Sequence, residues 1–291
     1  MHARLTVFLP EQAALSHVLR DGERLQIGRG EDCGLCVAHP SVSRLHAEIA
    51  QDGDGTWVLG DRGSKNGSHV DGKVVAEASL PGDAWLRFGD VYCEFELVDA
   101  ARSARIADQQ QARRARATAL TLGLQRAAGF SALLDGTLQA VMELGHCTRG
   151  FLLLRDDDGG FAIRACQAID PTLLAHRRFS GSAGAVERVL REGEAVVAND
   201  VGSEAWLAAR DSVVAGGLRA LVCLPLRDAG GTLGAIYADR TTAGPAITRL
   251  DLELLEAFAE RAALYISAQR ASDALVGAPR WAPAAAGIAA P

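Results

Sequence analysis

The tightest constraint on this chain is the density of turn signals in its first hundred residues. "DG" at 21 and 71, "DGDG" at 52–55, "GSKNG" at 63–67 and "PGD" at 81–83 cut the sequence into short apolar runs. These runs read "RLTVFL", "HVL", "RLQIG", "HAEIA", "TWVLG", "GSHV", "WLRFG" and "CEFELV". None is long enough for a stable helix. Gly, Asn and Asp sit between them because tight reversals need either a left-handed φ or a side chain that satisfies its own backbone. Short strands at close spacing with such turns predict an all-β sandwich over residues 1–99.

The pattern then changes. Residues 100–118, around "ARSARIADQQQARRARAT", are rich in Ala, Gln and Arg, which favour helix but offer few large apolar anchors. We read them as a helical linker whose five arginines form a solvated face. Beyond it, "SALLDGTLQAVMELG" places Leu134, Leu138, Val141 and Met142 on one helical face and stops at Gly145. "FLLLR" and "FAIRACQ" flank "DDDGG", and "RALVCLPLR" and "GTLGAIYADR" flank "DAGG"; each pair reads as a β-hairpin. Between the hairpins, "SAGAVERVLREG" reads as a short helix with Ser182 as N-cap, followed by the strand "EAVVAND". A final helix carries Leu250, Leu254, Phe258, Ala262 and Tyr265 on one side, widened by Leu255 and Ile266. Residues 119–270 are therefore expected to be an α+β domain, an antiparallel sheet with flanking helices, and 271–291 a disordered tail rich in Ala and Pro.

Two domains suit a chain of 291 residues. A formal charge of −6 argues against capture of nucleic acid by the whole molecule. No apolar run approaches the roughly 18 residues that span a bilayer, and the start lacks a secretory signal, so the expectation is a cytoplasmic protein with no membrane contact. The cysteines at 33, 36, 93, 147, 166 and 223 are too dispersed for a disulfide scaffold. "CGLC" at 33–36 has the spacing of zinc and redox motifs but no second such pair, so packing is expected and no metal.

"PSVSRLH", residues 40–46, brings a serine, an arginine and a histidine close together. A nucleophilic serine needs a base, a group that orients the base and an oxyanion hole; none can be assembled from the residues near Ser43. The usual hydrolase, zinc-protease, P-loop and kinase signatures are absent as well. The chain does not read as an enzyme.

The blocks "IGRGEDC" (27–33), "HPSVSRLHAEI" (39–49), "GSKNGSHVDG" (63–72) and "LRFGD" (86–90) together resemble a forkhead-associated domain, the phosphothreonine-binding β-sandwich. The resemblance spans about residues 4–98 and rests on G-R, S-x-x-H, N-G and L-x-x-G-D occurring in that order. It implies that Arg29, Ser43 and Arg44 face a phosphate and that Asn66, with Lys65 beside it, meets the peptide main chain. Lysine at 65 departs from the Thr or Ser of many relatives. Gly28 and Gly67 would permit tight turns, and His46 would brace the loops from within. A planar, permanently charged arginine among short hydroxyl and amide donors suits a phosphate dianion.

The second half, from "TRGFLLLRDDDGGFAIRA" through "LVCLPLRDAGGTLGAIYADR" to "DLELLEAFAERAAL", resembles a GAF domain, a small-molecule sensor and dimerisation module. That resemblance implies a pocket between the sheet and residues 170–217, and it names no ligand and no cofactor. Cys147, Cys166 or Cys223 could carry a bilin and His146 or His176 could ligate haem, though apolar packing explains each. The expectation is a non-enzymatic signalling adaptor. One domain binds a phosphothreonine-containing partner made by, or itself, a Ser/Thr kinase; the other senses a small molecule or pairs two chains into a homodimer through the linker helix and the last helix. The alternatives are a haem or bilin redox or light sensor, and a methionine sulfoxide reductase of the GAF type.

Overall fold

The computed structural model describes residues 1–10, 12–170, 172, 183–199 and 218–277. The N-terminal half is a β-sandwich. Its strands are β1 (His2–Phe8), β2 (Leu15–Leu19), β3 (Leu25–Gly28), β4 (Leu35–Cys36), β5 (Ala47–Gln51), β6 (Trp57–Asp61), β7 (Ser68–Val70), β8 (Lys73–Val75), β9 (Glu77–Leu80), β10 (Ala84–Phe88) and β11 (Val91–Val98). One sheet runs β2-β1-β11-β10-β7-β8 and the other β4-β3-β5-β6-β9. Leu5, Ile27, Ile49, Trp57, Leu59, Phe88 and Phe95 fill the space between them. Alternation in β11 follows the pleat: Val91, Cys93 and Phe95 are buried while Tyr92 and Glu94 are half-buried on the other side. The "DG" at 71–72 closes the two-residue β7–β8 hairpin with φ of 48° and 79°, the left-handed values such a turn demands.

The C-terminal half comprises α1 (Ala100–Leu124), α2 (Phe130–Leu144), β12 (Arg149–Arg155), β13 (Phe161–Gln167), α3 (Ala183–Glu192), β14 (Val196–Asn199), β15 (Ala220–Asp228), β16 (Gly231–Arg240) and α4 (Arg249–Gly277). The sheet runs β13-β12-β16-β15-β14 and is antiparallel throughout. Both faces are covered, which is why "ALVCLPL" is an unbroken apolar run. Val222, Leu224, Ile236 and Ala238 meet α1, α2 and α4, whereas Cys223, Ala235 and Tyr237 meet α3. The expected sandwich, the expected antiparallel sheet with its helices, and the two hairpins are present. The expected Ser182 cap, His176 and most of the expected pocket segment lie outside the described residues.

Two boundaries differ from the sequence expectation. The linker helix does not stop at 118; α1 runs to Leu124 and buries Ala117 and Leu124 in the second domain's core. Two of its arginines are engaged there too, Arg113 with buried Asp251 and Arg116 with Glu143. The helix therefore packs on the second half at its C-terminal end, while Arg102 at its start pairs with Glu96 of β11. Residues 271–277, expected to be disordered, continue α4. Ala, Ser and Leu there keep helix propensity, and the composition changes only at the prolines that follow.

The halves touch directly. Ala14 forms a parallel bridge with Thr248, its N–H donating to the Ile247 carbonyl (2.9 Å) and its carbonyl accepting from the Arg249 N–H (2.9 Å). Phe8 and Ala14 pack there beside Trp85 and Ala246. Among the described residues no helix is long and apolar enough to cross a membrane.

Candidate functional site

Loops from both sheets of the sandwich bring the expected residues together. Arg29 follows β3, Ser43 and Arg44 lie between β4 and β5, and Lys65 and Asn66 lie between β6 and β7. The first two loops are laced by backbone bonds, with the Arg29 N–H donating to the Ser43 carbonyl and the Gly30 N–H to the Arg44 carbonyl, both at 3.0 Å. Gly28 makes this approach possible: a Cβ there would stand 2.1 Å from the Arg44 carbonyl oxygen. Glycine at 28 therefore serves close backbone contact, a reason that the expectation of a tight turn did not contain.

Ser43 links the second loop to the third. Its Oγ accepts the Lys65 N–H at 3.0 Å, which leaves the hydroxyl proton available to a ligand. Asn66 Nδ2 donates to the Ser41 carbonyl at 2.8 Å; its Oδ1 has no partner among the described residues. Gly67 takes φ of 75°, a left-handed conformation that favours glycine.

His46 is fully buried and holds these loops from behind. Its Nδ1 accepts the Ser43 N–H at 3.1 Å while its Nε2 faces the Gly67 carbonyl at 3.2 Å. The first bond requires a bare Nδ1, so the ring is neutral with its proton on Nε2. Burial pulls its pKa below the ordinary histidine value, and Phe88 packs edge-on at 5.6 Å. It can act as a brace and has no free nitrogen with which to act as a base.

The charged side chains expected at the site are all cations. Arg29, Arg44, Lys65 and Asn66 are exposed and Ser43 is half-buried. Nearby Glu48 is taken up by Arg24 and Arg62, and among the described residues no carboxylate pairs with Arg29, Arg44 or Lys65. Three cations on loops that meet at a hydroxyl, without a carboxylate partner among the described residues, suit an anion.

Two further residues matter that the sequence reading did not single out. Ser41 Oγ accepts the Asp90 N–H (2.9 Å) and meets His39 Nδ1 (2.8 Å), tying the serine loop to the β10–β11 turn. Asp61 accepts from the Ser64 N–H (2.8 Å), the Ser64 hydroxyl (2.6 Å) and the Ser68 hydroxyl (2.7 Å), and so shapes the loop that presents Lys65 and Asn66. Burial pushes the Asp61 pKa up, but these hydrogen bonds outweigh it and hold the carboxyl below its usual range. The D-x-x-S spacing at 61–64 was a legible turn signal.

The "CGLC" thiols border the site instead of filling a core. Cys33 is half-buried with Sγ 3.1 Å from the Arg44 carbonyl, and Cys36 is exposed. Among the described residues no group of three or more His, Cys, Asp or Glu could hold a metal ion. In the second domain, burial pushes the Cys147 thiol up to about 12, and the Cys223 thiol higher. Such thiols carry almost no thiolate near neutrality and are poor attachment points. Cys166 is also raised, first by burial, and donates to the Ile169 carbonyl. His146 Nε2 is occupied by Arg113.

Comparison with known proteins agrees with this division. Residues 15–90 match the family model of the FHA domain and residues 130–266 that of the GAF domain. Among solved structures, the FHA-1 domain of Rv1747 from Mycobacterium tuberculosis is 26% identical, covering 33% of this chain and 97% of that one, with a TM-score of 0.29. The FhaA FHA domain, solved in complex with the intracellular domain of Rv3910, is 32% identical over 32% of this chain and 99% of that one, with a TM-score of 0.28. The FHA domain of the CT664 protein from Chlamydia trachomatis is 23% identical over 34% of this chain and 100% of that one, with a TM-score of 0.32. No curated protein matches the chain.

Proposed function

We propose, for a chain that belongs to the FHA-domain family and carries a GAF domain after its FHA domain, the role of a non-enzymatic signalling adaptor that docks on phosphothreonine in a partner protein. The observation that carries this reading is the Ser43 hydroxyl, fixed by the Lys65 N–H on loops that also carry exposed Arg29, Arg44 and Lys65. In the proposed complex the Arg29 guanidinium and the Ser43 hydroxyl donate to phosphate oxygens, and Arg44 and Lys65 add charge. Asn66, whose amide already spans to the Ser41 carbonyl, offers its Oδ1 to a peptide N–H. A partner phosphorylated by a Ser/Thr kinase would supply the ligand.

FHA and GAF domains are typically regulatory and non-catalytic. We assign the GAF domain to small-molecule sensing and to pairing of two chains. Pairing is supported by Leu122 on α1 and Leu264 on α4, which remain 49% and 55% exposed on helices that meet through Gln125 and Tyr265.

Isothermal titration of the full chain with a threonine-phosphorylated peptide, its phosphoserine twin and its unphosphorylated form tests the first domain. Hydrogen bonds to charged groups are worth about 1.5–3 kcal/mol each, so Arg29→Ala or Ser43→Ala should weaken binding about tenfold or more. Equal binding of the unphosphorylated peptide, or unchanged affinity in Arg29→Ala, refutes the assignment.

A further inference from the structure

A cleft of about 820 Å³ lies where the two domains meet, and neither the phosphopeptide loops nor the GAF sheet's α3 face contributes to it. Its size falls in the range of roughly 300–1,000 Å³ typical of small-molecule sites. The sandwich supplies one wall, with Phe8 and Trp85 at 5.9 Å between ring centroids. The other wall is the edge of the second domain, with Arg240 ending β16 and Arg249 opening α4.

Arg240 is the unusual group. It is only 3% exposed, yet no carboxylate among the described residues pairs with it. Its guanidinium donates to two carbonyls, of His146 (3.3 Å) and of Pro245, and its Nε is buried without a partner among the described residues. Gly244, which also lines the cleft, packs close over this nitrogen, since a Cβ there would stand 3.0 Å from Nε. A buried cation without a counter-ion is costly, and burial lowers the Arg240 pKa accordingly. Five arginines line the cleft, residues 4, 113, 219, 240 and 249; Arg4 pairs with Glu96 and Arg113 with Asp251, and Glu94 is the one carboxylate among the described lining residues. Burial, followed by the neighbouring Glu96, raises the Glu94 pKa.

We propose that this junction cleft binds a small organic phosphate, with Arg240 and Arg249 on the phosphate and the Phe8–Trp85 wall against a flat ring. The buried guanidinium calls for an anion, and guanidinium forks match phosphate oxygens. The aromatic wall opposite gives the remainder of the ligand an apolar surface on which to stack. Because the walls belong to different domains, an occupant would fasten one to the other.

The test is isothermal titration of the full chain carrying Arg29→Ala, so that the phosphopeptide loops cannot account for phosphate binding. ADP is the probe, with pyrophosphate as the charge without a ring and adenosine as the ring without charge. ADP should bind at one per chain, and each half-ligand at least tenfold more weakly. Arg240→Met should remain folded, because it removes a buried charge that has no counter-ion among the described residues, and should weaken ADP about tenfold or more. Arg249→Gln changes a side chain that is 71% exposed and, among the described residues, pairs with exposed Glu253 on its own helix; it leaves folding untouched and should weaken ADP several-fold. Absence of ADP binding, or equal ADP affinity in both variants and the parent, overturns the proposal. Pyrophosphate or adenosine binding as tightly as ADP overturns the two-walled assignment.

Discussion

Gly28→Ala is the perturbation that separates the architecture of the phosphate loops from their chemistry. It removes no side chain proposed to touch the phosphate. The new Cβ would lie 2.1 Å from the Arg44 carbonyl oxygen, 2.8 Å from its carbon and 2.9 Å from Cys33 Sγ. Backbone atoms cannot turn away as a long side chain can, so the Arg29 loop and the Ser43–Arg44 loop must part. Overpacking of this kind costs about 1–3 kcal/mol of domain stability. The parting also stretches the two 3.0 Å backbone bonds from Arg29 and Gly30 to the serine loop, each worth about 1 kcal/mol. Arg29 and Ser43 then no longer converge on one phosphate, and the loss of a single charge-assisted contact already corresponds to about tenfold. Urea denaturation and fluorescence anisotropy with a labelled phosphothreonine peptide, done on the same preparations, measure both effects. Gly53→Ala, where no heavy atom lies within 4 Å of the added Cβ, is the control and should stay within about 0.5 kcal/mol of the parent. If Gly28→Ala bound the peptide as tightly as the parent, close apposition of the two loops would not be what makes the site.

His46 gives a pH signature: burial holds its folded pKa below the ordinary histidine value, so its stabilisation is present above that value and is lost as pH falls beneath it. Stability measured by urea between about pH 7 and pH 5 should therefore decline, and His46→Gln should flatten that slope while lowering stability at neutral pH; an unchanged slope contradicts the neutral brace. Asp61→Ala removes the acceptor for Ser64 and Ser68 and should cost about 2 kcal/mol or more, with weaker peptide binding through Lys65 and Asn66, read by the same two assays. Leu264→Glu on the exposed side of α4 should convert a dimer to a monomer in light scattering at micromolar concentration, and a monomeric parent would remove the pairing assignment.

Much of this architecture was legible in the residues because its signals are local. Turn residues fix where strands end, so "DG" at 71–72 pointed to the β7–β8 hairpin and "DAGG" to the β15–β16 hairpin. The ordered blocks around Arg29, Ser43 and Asn66 likewise marked the loops that converge, and the resemblance to a known domain supplied what spacing alone could not. The extent of α1 was less legible. A segment of Ala, Arg and Gln looks like a spacer until its two buried positions, Ala117 and Leu124, meet partners that lie far along the chain.

What only the tertiary structure decided are the contacts between distant segments. That Gly28 serves close approach to Arg44, that His46 is neutral with its proton on Nε2, and that Ser41 ties the serine loop to the β10–β11 turn follow from contacts no window of sequence contains. Arg240 shows this most plainly. In the sequence it is one more charge at the end of the strand "AIYADR", a residue type that mostly faces water; in the fold it lies buried at the meeting of two domains without a counter-ion among the described residues. Local pattern sets which residues form an element, because propensity and periodicity act over a few residues. Whether a charge ends up solvated, paired or stranded depends on which surfaces the chain later brings against it.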